Sequence, residues 1–273
     1  MYRCREPRLG LHFLMRNLKL TLSYDGSEFC GWQVQPDAPS IQGTLATAIG
    51  RVTGENVLPQ GSGRTDAGVH ALAQVATFGT NSLVPTPNFI KALNDVLPPA
   101  IRVLEVSEMP AAFHARHSAR AKTYRYRMYR GEICPPFLAR YVWHYPYPLS
   151  ERAMVEAGEL VMGEHDFTSF AAADPERGAR LAEAFQPDGD DAPSNIRRIF
   201  SSTWKVEGAE FQYMVRGSGF LHHMVRNLVG TFVLVGKGTV KASDISKVLQ
   251  ARDRSLAGPT APAAGLYLVG VEY

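Results

Sequence analysis

The sequence predicts an α+β protein, with a mostly antiparallel sheet and helices on one face. Three observations carry this. Several segments alternate apolar and polar residues with the period of a half-buried strand. Between them lie helical patterns of about 10–15 residues with recognisable caps. Some strands are joined by hairpin turns and not by helical crossovers, which favours layers over a parallel sheet. The chain has 273 residues, room for one large domain or two ordinary ones. Two halves meet near residue 115, giving a unit over 17–114 and another over 115–273.

Asn17 to Tyr24 alternates as a first strand, ended by Asp25-Gly26. Ser40 caps a helix with Ile41, Leu45, Ala48, Ile49 and Val52 on its apolar face, stopped at Gly54. A strand runs from about Ala71 to Phe78. Thr86-Pro87 opens a helix with Phe89, Ile90, Leu93 and Leu97 inward, ended by Pro98-Pro99. Ile101 to Val106 is the next strand. In the second half, Lys122 to Tyr129 is a strand, and Ser150 caps a helix to about Met162 with Gly163 as its stop. Phe200 to Val206 and Phe211 to Val215 pair around Gly208. A long helix follows Phe220, another follows Ser243, and Leu266 to Val271 closes the chain.

Two segments stand outside this pattern. Residues 1–16 carry arginines and a short apolar patch without a signal-peptide cleavage site, and are expected to be a loose tail with the fold starting near Met15. Residues 171–195 lack hydrophobic periodicity, are rich in Asp, Glu, Gly, Pro and Ala, and are expected to be a mobile surface insertion.

The bulk composition excludes more than it assigns. Apolar residues are 45% of the chain, ordinary for a globular protein. The net charge of +3 is too mild to argue for nucleic acid by itself. Cys4, Cys30 and Cys134 are scattered and odd in number, which disfavours a disulfide framework and fits a reducing cytosol. No apolar run reaches the roughly 18 residues of a membrane span.

The chemistry points to Gly61-Ser62-Gly63-Arg64-Thr65-Asp66-Ala67-Gly68-Val69-His70. A dinucleotide loop would need a third glycine where Asp66 stands, and a phosphate-binding P-loop would need Lys after its last glycine. The segment leads into a strand, and its special residue is an acid. Asp66 is either a turn residue bonded to its own amides or a catalytic carboxylate at the lip of a cleft.

From Phe113 to Arg130 there is no acid. Arg116, Arg120, Lys122, Arg125, Arg127 and Arg130 alternate there with His114, His117, Tyr124, Tyr126 and Tyr129. Basic groups neutralise phosphates, and tyrosines offer faces on which bases stack. On a strand, Tyr124 and Tyr126 share one face while Arg125 and Arg127 share the other, so a core-and-solvent strand explains the alternation equally well. It does not explain the missing acids. No metal is expected. His114 and His117 lack further ligands nearby in sequence, and His222-His223, adjacent on a helix, would point apart. Three readings stay open on the residues: an enzyme using Asp66 on RNA, a non-catalytic RNA binder with an RRM-like sheet, and a hydrolase using Asp66 with water.

Several motifs in order resemble the tRNA pseudouridine synthase A family. They are Tyr24-Asp25-Gly26 with Phe29 and Gly31-Trp32-Gln33-Val34-Gln35; Gly61 to His70 with Gln74-Val75; and Lys122 to Tyr126. Gly163 to Phe170, Gly219 to Asn227 and Gly265 to Leu268 complete the match. The resemblance implies two related RRM/ferredoxin-like halves with the active-site cleft between them. It implies conversion of uridine to pseudouridine on the 3′ side of the tRNA anticodon stem (uridines 38–40 by family analogy), no cofactor, and a homodimer. By the same resemblance Asp66 is the essential carboxylate, Tyr124 stacks on the target base, and Arg226 pairs with Asp66. Arg64 would hold the phosphate path or the space the base leaves. Arg116, Arg120, Lys122, Arg125 and Arg127 are the further RNA-binding candidates. Asp25 and His70 are expected to be structural.

Overall fold

The computed structural model describes residues 15–173 and 194–273. The expected tail before Met15 and most of the expected insertion lie outside the described residues.

Among the described residues, ten strands form one sheet. They are β1 (Arg16–Tyr24), β2 (Gln60–Gly61), β3 (His70–Thr80), β4 (Ile101–Met109) and β5 (Ala121–Tyr129), followed by β6 (Trp143–His144), β7 (Gly163–Asp166), β8 (Ile196–Glu207), β9 (Glu210–Gly217) and β10 (Leu266–Glu272). The main path runs β4-β1-β3-β10-β5-β9-β8-β7, with β2 pairing β3 and β6 pairing β5. All neighbours on the path are antiparallel except β10 and β3, which are parallel. The expected mostly antiparallel α+β architecture is present. The last strand of the chain lies between the strands of the first half and those of the second.

The described helices are α1 (Ile41–Thr53), α2 (Thr86–Val96), α3 (Pro136–Ala139), α4 (Glu151–Glu159), α5 (Met224–Gly236) and α6 (Ile245–Ala251), and all but the short α3 bury residues in the core. The Ser40 hydroxyl accepts from the Gly43 amide at the start of α1, and Gly54 ends it in the left-handed conformation, as the cap pattern predicts. Leu45 and Ile49 of α1, with Phe89 and Leu93 of α2, are buried in one core with Leu18, Leu20 and Leu22 of β1. In the second half Phe232 of α5 meets Tyr213 edge-on at 5.3 Å.

Differences from expectation are local. Helix α4 stops at Glu159, not near Met162, and Gly163, at φ +96, opens β7 instead of only ending a helix. The short strands β2 and β6 carry no periodic signal over two residues. The helix expected after Phe220 begins only at Met224, because Gly219 to His223 form an irregular approach to it.

A register shift sets which side of the sheet each residue of β3 faces. Leu22 pairs with Gln74 but Tyr24 pairs with Ala71, so β3 holds an extra residue there. Such a bulge reverses the alternation. Gln74 turns toward the glycine-rich turn, whereas His70 turns to the opposite side and stacks on Tyr267 at 4.8 Å. There the Gly26 amide donates to His70 Nδ1 at 3.1 Å. Asp25 Oδ1 lies 3.2 Å from the same nitrogen. An Nδ1 that accepts an amide proton carries none itself, so the contact with Asp25 is not an ion pair. Burial, which holds His70 below the usual imidazole range, agrees.

Candidate active site

The turn from Ser62 to Val69 is held on both flanks by elements of the first half. The Ser62 amide donates to the Val75 carbonyl at 2.7 Å, and Gln74 Nε2 donates to the Gly63 carbonyl at 3.0 Å. The Trp32 amide donates to the Thr65 carbonyl at 2.9 Å. Tyr24 and Thr65 share a hydroxyl–hydroxyl bond of 2.8 Å; burial lifts the Tyr24 phenol to about 12, so it stays protonated there. Two glycines make this packing possible. A Cβ on Gly26 would lie 2.0 Å from the Val69 carbonyl oxygen. Gly31 has φ +93, and a Cβ there would lie 2.7 Å from the Thr65 oxygen. With its backbone fixed in this way, Asp66 has one remaining freedom, its side chain.

That side chain crosses to the other half of the sheet. Arg226 donates from a guanidinium nitrogen to Asp66 Oδ2 at 2.9 Å. Among the described residues no amide of the turn itself donates to the carboxylate, so the simple turn-residue reading of Asp66 does not fit. Arg226 is aimed in turn. Its Nε donates to the Ala261 carbonyl at 2.7 Å. The loop carrying Ala261 presses onto α5 at Gly230, where a Cβ would lie 1.7 Å from the Pro259 oxygen. Asn227, one residue on, donates to the Phe170 carbonyl and accepts from Arg254 and Thr260. The first turn of α5 is thereby locked in position.

The two histidines before α5 join the same carboxylate. His223 Nε2 is 3.3 Å from Asp66 Oδ2, and His222 Nε2 is 3.7 Å from Oδ1. Their rings lie 4.0 Å apart. The expectation that adjacent histidines would diverge assumed helical backbone. His223 instead caps α5 with φ +58, which swings both rings to one side. Neither Gly217 nor Gly219 has the positive φ of a marked turn, and the left-handed residue is His223 itself, so no local signal foretold it. Burial holds His223 below the ordinary imidazole value, against the opposing pull of Asp66. Asp66, His222 and His223 are also the described residues whose ligand atoms could jointly hold a metal ion.

These groups line a cavity of about 800 Å³, within the roughly 300–1,000 Å³ of pockets that enclose small ligands. Arg64, Arg116, Lys122, His114, His117 and Tyr124 line it too, and Asp66 is the one carboxylate among the described lining residues. Tyr124 is 8% exposed and meets Phe220 edge-on at 5.0 Å. Burial, with Tyr24 and Asp66 nearby, pushes its phenol well above the usual range. Lys122 donates to the Ser62 carbonyl at 2.6 Å. Burial, aided by Arg116 and Arg197, pulls its ammonium down to about 8.

The structure therefore brings Asp66, Arg226, Tyr124, Arg64, Arg116 and Lys122 together. It does not bring the other three basic candidates to the cleft. Arg125 and Arg127 project from the opposite face of β5. Arg127 binds Glu210 through two nitrogens, and both guanidinium groups lie over the Tyr267 ring, at 5.4 and 5.6 Å. Arg120 is exposed outside the cavity lining. Besides the histidine pair, sequence reasoning missed Gln74 and Phe220 as shaping groups.

Comparison with known proteins bears on this geometry. The family model for tRNA pseudouridine synthase matches residues 21–118 and 157–273. A tRNA pseudouridine synthase A of Solibacter usitatus (strain Ellin6076) is 50% identical over 259 residues, 95% of this chain and 100% of its own length. One from Caldicellulosiruptor bescii is 44% identical over the same shares of both chains, and one from Moorella thermoacetica is 43% identical over 94% of this chain and 99% of its own. The first of the two matched segments holds Asp66 and the second holds Arg226, the two ends of the contact that closes the cleft. On that agreement in sequence, this chain belongs to the tRNA pseudouridine synthase family.

Proposed function

We propose that the chain isomerises uridine to pseudouridine in tRNA, with Asp66 as the catalytic carboxylate. The observation that carries this is the placement of Asp66. Among the described residues it is the one acid lining a basic cavity, and Arg226 holds it from across the sheet. The reaction breaks the N1–C1′ bond, forms a C5–C1′ bond, and moves a proton from C5 while N1 gains one. It needs no redox partner. A carboxylate fixed at a cavity wall serves as nucleophile toward base or sugar, or as a base on the sugar. A uridine in a stem must leave the base stack, at a cost of a few kcal/mol. Stacking on an aromatic ring, worth about 1–3 kcal/mol per base, offsets it, and Tyr124 is the ring at hand. Arg64, Arg116 and Lys122 supply positive charge for the flanking phosphates.

The same reading places the target in the anticodon stem-loop and takes the two sides of the sheet, 17–114 and 115–273, as related ferredoxin-like units. It also makes the chain a homodimer in which one tRNA touches both subunits. Sedimentation of the purified chain should give twice the 30.0 kDa chain mass; a monomer at all concentrations counts against the dimer.

Asp66→Asn should lower tritium release from tRNA labelled at uracil C5 by at least about 10³-fold, the scale on which catalytic groups act, with tRNA affinity changed only a few-fold. Full turnover in this variant, or liberation of free uracil by the wild type, overturns the assignment. Tyr124→Phe should keep base stacking and so hold tRNA affinity, while reducing turnover if the hydroxyl moves a proton. Unchanged turnover confines Tyr124 to stacking. Lys122 binds phosphate as an ammonium, and its folded-state value of about 8 lies below the ordinary 10.5. Its charge is therefore present at pH 7 and lost as the pH rises through 8. The slope of log affinity against log salt should fall by about one unit between pH 7 and 9. In Lys122→Ala that difference should vanish.

A further inference from the structure

The geometry points to a reversible, inhibitory binding site for a zinc-class divalent cation, formed by Asp66, His222 and His223. The ligand atoms of these residues all lie within 4.8 Å of one another. Two ligands each about 2.0–2.1 Å from a tetrahedral zinc are about 3.4 Å apart. The nearest separations here are 3.3 Å for His223 Nε2 to Asp66 Oδ2 and 3.7 Å for His222 Nε2 to the other oxygen, Oδ1. An ion drawing all three ligand atoms onto itself would have to contract the set from its 4.8 Å span.

A second observation concerns which nitrogens are available. His222 Nδ1 lies 3.1 Å from the Ala173 carbonyl oxygen. A carbonyl only accepts, so that nitrogen carries a proton, which leaves Nε2 as the nitrogen turned toward Asp66 Oδ1. An imidazole whose far nitrogen is tied to a backbone carbonyl is also the usual form of a metal-bound histidine. His223 is fixed by its left-handed backbone at the start of α5, and its carbonyl accepts from the Asn227 amide at 2.9 Å.

The donor set selects the metal. Two imidazoles and one carboxylate suit zinc, copper, nickel and cobalt, whereas magnesium prefers oxygen and keeps its waters. Arg226 stays at 2.9 Å from Oδ2, and its charge weakens the site relative to a structural zinc centre. The binding is therefore reversible. A metal at this point occupies the carboxylate lone pairs that the isomerisation uses, so bound zinc and turnover exclude each other. That consequence rests on the proposed function, but the binding does not.

Calorimetric titration of the metal-free full chain with zinc, without tRNA, tests the site directly. One ion per chain should bind, and cobalt should give the absorption of a low-symmetry nitrogen–oxygen site. Asp66→Asn and His222→Gln should each weaken zinc binding by at least about tenfold, in proteins whose circular dichroism matches the wild type. Replacing both His114 and His117, the other histidine pair at the cleft, should leave zinc binding unchanged. In the tritium-release assay with excess magnesium, zinc should abolish turnover and a chelator restore it. Absence of zinc binding overturns the inference, as does binding that survives Asp66→Asn and His222→Gln or is lost with the His114–His117 pair. Zinc binding of the expected kind in a chain that does not isomerise uridine would overturn the proposed function and leave the metal site standing.

Discussion

The contact between Asp66 and Arg226 is the constraint around which the molecule is arranged. It joins residues 160 positions apart and closes the cleft from its two sides. Stability does not account for it. Both side chains are partly withdrawn from water, at 20% and 15% exposure, and such a pair loses in desolvation much of what it gains in attraction. Yet each partner is surrounded by fixed supports. Gly26, Gly31, Trp32 and Gln74 hold the turn of Asp66, and Ala261, Asn227 and Gly230 hold the helix of Arg226. So many restraints on a pair of small energetic worth fit a group whose position matters for chemistry.

The sheet divides its labour between faces. On the cleft side, Tyr124 and Leu266 line the cavity, together with the approach to α5. On the far side, His70, Tyr141 and Tyr267 pack together with Asp25 and Arg127, joined by hydrogen bonds from Tyr141 to Asp25 and from Arg127 to Glu210. The bulge in β3 makes both arrangements possible on neighbouring residues. Without it Gln74 and His70 would face the same way, and the turn of Asp66 would lose the amide that holds Gly63. The positive charge of the cleft accordingly comes from loop residues and the edge of β5, while the arginines in the middle of β5 are spent on Glu210 and Tyr267.

Local sequence was enough for the elements with a strong period or a cap. The Leu18-Leu20-Leu22 alternation, the Ser40 and Gly54 caps and the Gly208 hairpin all appear where their residues place them, because those preferences act over a few positions. The acidic residue in the glycine-rich turn was legible as a candidate, but its residues alone left it open between a turn residue and a reacting group. Contacts across the chain were another matter. Nothing within ten residues of Arg226 says that it meets Asp66, and the alternation of β5 does not say which face looks into the cleft. The sharing of Asp66 by His222 and His223 depends on one left-handed residue at a helix start, a choice imposed by the packing of α5 against the 258–261 loop and the 172–173 segment. Short-range propensity, in short, wrote the strands, the caps and the glycine-rich turn of Asp66 into the chain. The pairing of charges over the cleft was left to the sheet, because only tertiary packing brings distant side chains within bonding distance.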